Sequence, residues 1–227
     1  MSKKVFLGVG HGGNDPGAVA NGFKEKDFNL AIALACNSEL VRHGVLVQMS
    51  RTKDQNDELT EEIKECNAFK PDLAVDIHNN AGGGDGAEAF YNKPNATGKA
   101  LAENILGEIT KIGQNSRGAK TRQRTDGKSY YGFIRQTTPP AVIVECAFVD
   151  NKTDIAIIDT SAEQKAMGVA IAKGILKTLG IAYVEEKKPT TESGKIYRVQ
   201  VGAYSVKANA EAMQKKLKAE GYDAIIV

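Results

Sequence analysis

The chain has 227 residues and a formal net charge of +2, with 26% of its residues charged. That length carries one sizeable core and a small second module. The near-neutral balance argues against a nucleic-acid-binding surface, and no apolar run approaches a membrane span. Cys36, Cys66 and Cys146 are widely spaced and odd in number, which argues against a disulfide framework or a cysteine-rich zinc site and makes them small core residues. Met1 to Lys4 lead straight into the first strand with no room for a signal peptide, so synthesis in the cytoplasm is expected.

Helix and strand signals alternate along the chain. Residues 5–7 are a short apolar strand that stops at glycine, and a loop follows with His11 among Gly8, Gly10, Gly12, Gly13 and Gly17. Asp27 is the expected cap of a helix that ends at His43-Gly44, where His43 reads as a solvated cap aided by the helix dipole. Residues 45–49 are a second strand, and a helix from Thr60 is closed by Pro71. Residues 73–77 form a third strand, ending at His78-Asn79-Asn80. After a triple-glycine turn, residues 87–91 read as an edge strand, followed by a helix over 97–112. Residues 113–132 are polar and without periodicity, a long loop carrying Arg117, Lys120, Arg122 and Arg124. Residues 141–144 are the last core strand and 162–179 the last long helix. The alternation predicts an α/β domain with a mostly parallel twisted sheet and helices on both faces.

Gly8, Gly10 and Gly13 match a dinucleotide-binding fingerprint, but that motif needs a helix to open at its third glycine. Asn14-Asp15-Pro16-Gly17 is turn chemistry instead, and helical periodicity begins only later. His11 and Glu25, at opposite ends of one loop, form a plausible half of a metal site. Ligand sites in such sheets lie beyond the carboxyl ends of the strands, where His78 and Glu145 also fall. Two histidines and a glutamate with an open fourth position are a catalytic zinc arrangement.

The motifs GHGGNDPGA, EKDFNLAIAL, DIHNNA and PPAVIVECAFVDNKTD resemble the zinc-dependent N-acetylmuramoyl-L-alanine amidases, the amidase 3 family of cell-wall hydrolases. The resemblance covers residues 5–180. It implies a six-stranded α/β fold, one Zn2+ per chain on His11, Glu25 and His78, and Glu145 as the catalytic carboxylate. Glu145 would take a proton from zinc-activated water and hand it to the leaving amine of L-alanine. Two positions depart from the family pattern: Glu62 stands where arginine is usual, and Asp76 where serine is common. Asn79 and Asn80 are expected to orient His78 or donate to substrate, and Asn80 and Arg135 are the candidate substrate contacts. A catalytically silent wall-binding protein and a zinc carboxypeptidase are the competing readings.

Residues 183–194 read as a charged linker between the catalytic domain, 1–182, and a separate block, 195–227. The block shows a strand–helix–strand pattern and resembles one half of a SPOR peptidoglycan-binding repeat, with Gln200 and Tyr204 as candidate wall contacts. A lone βαβ unit of that size buries too little apolar surface to stand alone, so pairing of two chains through it into a homodimer is expected, with docking against its own amidase domain as the competing solution. The expected whole is an endolysin-like enzyme, acting on bacterial peptidoglycan after release at lysis, without nucleic-acid partners or membrane insertion.

Overall fold

A computed structural model describes residues 2–186, 200–219, 222 and 224–226. The chain divides into two compact units, Met1–Val184 and Glu185–Val227. The first unit opens with β1 (Lys4–Val9), a small hairpin of β2 (Val19–Ala20) and β3 (Phe23–Lys24), α1 (Glu25–Arg42) and β4 (Leu46–Met49). Then come α2 (Leu59–Phe69), β5 (Leu73–Asn80), β6 (Ala87–Tyr91), α3 (Ala96–Ile109) and β7 (Ser116–Lys120). It closes with α4 (Gly132–Gln136), β8 (Ala141–Phe148), α5 (Lys152–Ile155) and α6 (Ser161–Leu179).

Six strands make one sheet in the order β4-β1-β5-β8-β6-β7. The first four run parallel, β6 is antiparallel to β8, and β7 is parallel to β6. Alternate side chains of the strands feed two cores, as the period of two requires. Val5, Leu7, Val75 and Val144 pack with α1, α3 and α6 on one face, through residues such as Ile32, Ile105 and Ile171. On the other face Phe6, Ala74 and Ile143 meet Ile63 and Cys66 of α2 and Phe133 of α4. All three cysteines are buried and free, as the sequence suggests. Helix α6 packs against both α1 and α3, and two glycines allow it to sit close. A Cβ at Gly168 would fall 2.4 Å from the Ile32 carbonyl oxygen, and one at Gly174 would fall 2.5 Å from Ile105 Cα.

Several local expectations give way to non-local bonding. Helix α1 begins at Glu25, not Asp27, and has no side-chain cap. The Glu25 and Lys26 N–H groups donate instead to the Ala18 and Pro16 carbonyls, at 2.9 and 3.2 Å, so the loop satisfies the first helical turn. Strand β6 is interior, not an edge, because β7 pairs on its far side. That strand, SRGAK, falls inside the stretch expected to be a loop; its polarity suits an edge and hides the signal. His43 is not a solvated cap. Its side chain is only 4% exposed, Nδ1 donates to the Glu39 carbonyl at 2.8 Å, and Nε2 accepts from the Val184 N–H at 3.0 Å. The Tyr183 ring stacks on it at 4.9 Å, so Tyr183 and Val184, expected in the linker, are fastened to the first unit.

In the second unit the expected helix forms as α7 (Lys207–Ala219). The expected flanking strands do not appear where described: residues 200–204 and 224–226 carry no ladder. Two isolated strands lack the neighbours that stabilise a sheet. Residues 187–199, which hold most of the linker and the start of the expected first strand, lie outside the described residues. Among the described residues, no helix is long and apolar enough to cross a membrane.

Candidate active site

The site forms where β1, β5 and β8 reach their carboxyl ends. Gly10 continues β1 by donating its N–H to the Ile77 carbonyl at 3.1 Å. It has no room for a side chain, since a Cβ there would lie 2.1 Å from His78 Cε1. His11 follows with φ 64°, a left-handed conformation that costs a non-glycine residue on the order of 1 kcal/mol. Paired backbone bonds between Gly12 and Asp15, at 2.9 and 3.0 Å, hold that turn closed. Buried Arg51 straps the loop from beneath, donating to the carbonyls of Val9 at 3.0 Å and Lys26 at 2.8 Å.

His11, Glu25 and His78 come together, each offering one ligand atom, with these atoms all within 4.8 Å of one another. His11 Nε2 is 3.1 Å from Glu25 Oε2, and His78 Nδ1 is 3.1 Å from Glu25 Oε1. The outer nitrogens are engaged from behind. Asp15 Oδ2 accepts from His11 Nδ1 at 2.7 Å, and Asp76 Oδ2 from His78 Nε2 at 3.2 Å. Glu25 accepts from the N–H groups of Ala18 and Asn79, at 2.9 and 3.1 Å, and from the Asn29 amide at 3.2 Å. Burial pushes the Glu25 carboxyl up most strongly, but the bonds from His11 and His78 outweigh it and hold the group well below the usual carboxylate range. Two nitrogens and a carboxylate, converging and fixed from behind, suit a zinc ion.

Glu145 lies directly across the β5–β8 ladder from His78, and the register shifts immediately beyond that pair. Burial, chiefly, pushes its carboxyl up to about 7. A cavity of about 450 Å³ opens on His11, His78 and Glu145. The candidate substrate contacts are already occupied within the protein. Asn80 donates to Glu88 at 3.1 Å, and Arg135 to the carbonyls of Ser129 and Tyr130 at 2.8 and 2.9 Å. Arg117 and Lys120 pair with Glu88, and the Arg122 guanidinium lies 3.8 Å from the Tyr130 ring centroid. In the second unit Gln200 donates to the Gly202 carbonyl at 3.2 Å, and Tyr204 is exposed.

Sequence reasoning missed Asp15, Asn29 and Arg51. Asp15 and Asn29 stand four residues after His11 and Glu25, a spacing that is a usable signal only once the loop and helix are known. Glu62 and Asp76, the two departures from the family pattern, prove to be neighbours: the same point above Gly8 lies 2.0 Å from Glu62 Oε1 and 2.7 Å from Asp76 Oδ1.

A six-stranded α/β domain with this cluster at its strand ends, beside a buried carboxyl group, defines a hydrolase domain with a candidate metal centre. The N-acetylmuramoyl-L-alanine amidase profile matches residues 5–177, and the SPOR domain profile matches residues 172–227. The chain belongs to the N-acetylmuramoyl-L-alanine amidase family and is an amidase of peptidoglycan. It is 33% identical over 99% of its length to the sporulation-specific N-acetylmuramoyl-L-alanine amidase of Bacillus subtilis, covering 84% of that protein. It is 35% identical over 96% of its length to the endolysin of Bacillus phage SPP1, covering 86% of it. The solved catalytic domain of the amidase CwlV from Bacillus (Paenibacillus) polymyxa superposes with a TM-score of 0.71 at 30% identity, matching 79% of this chain and 99% of that one.

Proposed function

We propose that the amidase works with one zinc ion held by His11, Glu25 and His78, with Glu145 as its acid–base residue. The observation that carries this is the convergence of the three ligand atoms within 4.8 Å, with Glu145 paired to His78 across the ladder. When bound, zinc supplies a Lewis acid that lowers the pKa of water and polarises a carbonyl. The protein's own groups do the remaining work. Asp15 and Asp76 accept the outer N–H of each imidazole, which fixes the tautomer and leaves His11 Nε2 and His78 Nδ1 free as ligands. The N–H groups of Ala18 and Asn79 keep the Glu25 carboxylate turned toward both rings. Glu145, with its carboxyl near 7, takes the proton of the attacking water and delivers it to the departing alanine nitrogen.

The same reading makes the protein a lysis enzyme acting on the wall, supported by its likeness to the phage endolysin. Residues 195–227 then serve as a wall-binding or dimerising module. Exposed Val201, Val206, Tyr222, Ile225 and Ile226 in that unit support association. Mass analysis of fragments released from purified peptidoglycan tests the chemistry. New L-alanine amino termini without new reducing sugar ends are expected, and new reducing ends would refute it.

A further inference from the structure

The cavity beside the zinc ligands is strongly one-sided in charge. Asp57, Glu58, Glu62 and Asp76 are among its lining residues, Leu59, Tyr131, Phe133 and Ile143 supply apolar surface, and no Lys or Arg lines it. Glu62 and Asp76 are 6% and 2% exposed. Glu62 Oε1, Asp76 Oδ1 and Asp57 Oδ2 are buried oxygens without a hydrogen-bond partner. Burial first, and then the neighbouring carboxylates, push the Glu62 and Asp57 carboxyls up, and a positively charged donor placed among them would relieve both the burial and the repulsion. A second metal ion does not fit. Among the described residues the only convergent set of metal-ligating atoms is His11, Glu25 and His78. An ammonium group needs no such convergence: its three N–H donors reach separate acceptors while its methylene stem lies along the apolar surface.

We propose that this acidic wall is a subsite for a primary ammonium group on the substrate, with Glu62 and Asp57 as specificity-determining residues. The inference rests on the amidase reading, which makes the substrate a wall polymer. Such a polymer carries primary amines from two sources: an amino sugar lacking its acetyl group, or the side chain of a diamino residue in the stem peptide. Both have the chemistry the wall selects.

The test uses the full zinc-loaded chain and two matched substrate pairs. One pair is a muramyl tripeptide ending in lysine and its Nε-acetylated form. The other is a glucosaminyl-muramyl peptide with a free sugar amine and its N-acetylated form. Release of L-alanine amino termini gives kcat/KM. At least one pair should show about a tenfold preference for the free amine, the scale of a buried charged hydrogen bond. The pair that shows it names the source. Glu62→Gln and Asp57→Asn should each pull that ratio toward one, mainly through KM, with zinc content equal to the parent's. If Glu62→Gln does not fold, the parent's ratios and Asp57→Asn still decide. Ratios within twofold of one for both pairs overturn the subsite, as does a preference that both variants leave unchanged. Absence of L-alanine amino termini from all four substrates would instead overturn the amidase chemistry.

Discussion

At Glu145 the environment sets the chemistry. Its carboxyl is raised from 4.5 to about 7, first by burial, so the folded chain holds a proton there that an unfolded chain releases at lower pH. The stability that proton contributes is complete below about pH 4.5 and is lost as pH rises through about 7. Glu145→Gln stays neutral throughout. In metal-free protein its stability relative to the parent should therefore grow by on the order of 2–3 kcal/mol between pH 4 and pH 8, read by urea unfolding at each pH. With zinc bound, the same variant should keep the metal and lose roughly two or more orders of magnitude in turnover. Near-normal turnover would assign the proton to another group. His11→Ala, Glu25→Ala and His78→Ala should each abolish hydrolysis and lower zinc content, and stoichiometric zinc in all three would refute the ligand set. Asp15 touches His11 only from behind, so Asp15→Ala should weaken zinc binding about 10–100-fold in a chelator competition.

At the scale of elements, the site depends on how closely α1, α6 and the loop after β1 approach one another. Helix α1 carries Glu25 and Asn29 on its first turns, so a shift of α1 moves the proposed ligand and its support together. Gly168 sets the contact with α6, because any Cβ there would press on the Ile32 backbone. Gly168→Val should cost about 1–3 kcal/mol, seen as a lower urea midpoint at unchanged slope. An unchanged midpoint would mean that α6 can move away freely. The long helices α1, α2, α3 and α6 were legible from their apolar residues and the turn residues that bound them, whereas the short α4 and α5 were not read from the sequence. Strand β7 was not legible: Ser116, Arg117 and Lys120 are polar, Gly118 and Ala119 are small, and only the partner β6 makes them a strand.

For the whole molecule, the proposed dimer turns on the second unit. Helix α7 buries none of its residues, and the flanking described segments form no ladder. A single copy has little core to offset the entropy of ordering it. Sedimentation of the full chain at several concentrations should show a monomer–dimer equilibrium that disappears on truncation after Val184. A full chain still monomeric at tens of micromolar would exclude the dimer.

The alternation of strands and long helices, and the candidate residues His11, Glu25, His78 and Glu145, were legible in the chain before any fold was known. His11 stands in a glycine-rich turn and His78 beside two asparagines near the end of β5, where local chemistry sets them apart, whereas Glu25 opens α1 and Glu145 lies within β8. Tertiary structure alone decided the rest, because each remaining feature joins groups far apart in the chain. Asn79 supports Glu25 across 54 positions, and His43 holds Val184 across 141. The meeting of Glu62 with Asp76 is likewise a product of α2 packing on the sheet face that carries Phe6 and Ala74, and β6 is interior only because β7 pairs with it. No local pattern encodes such pairings; they follow from burying two cores against one twisted sheet.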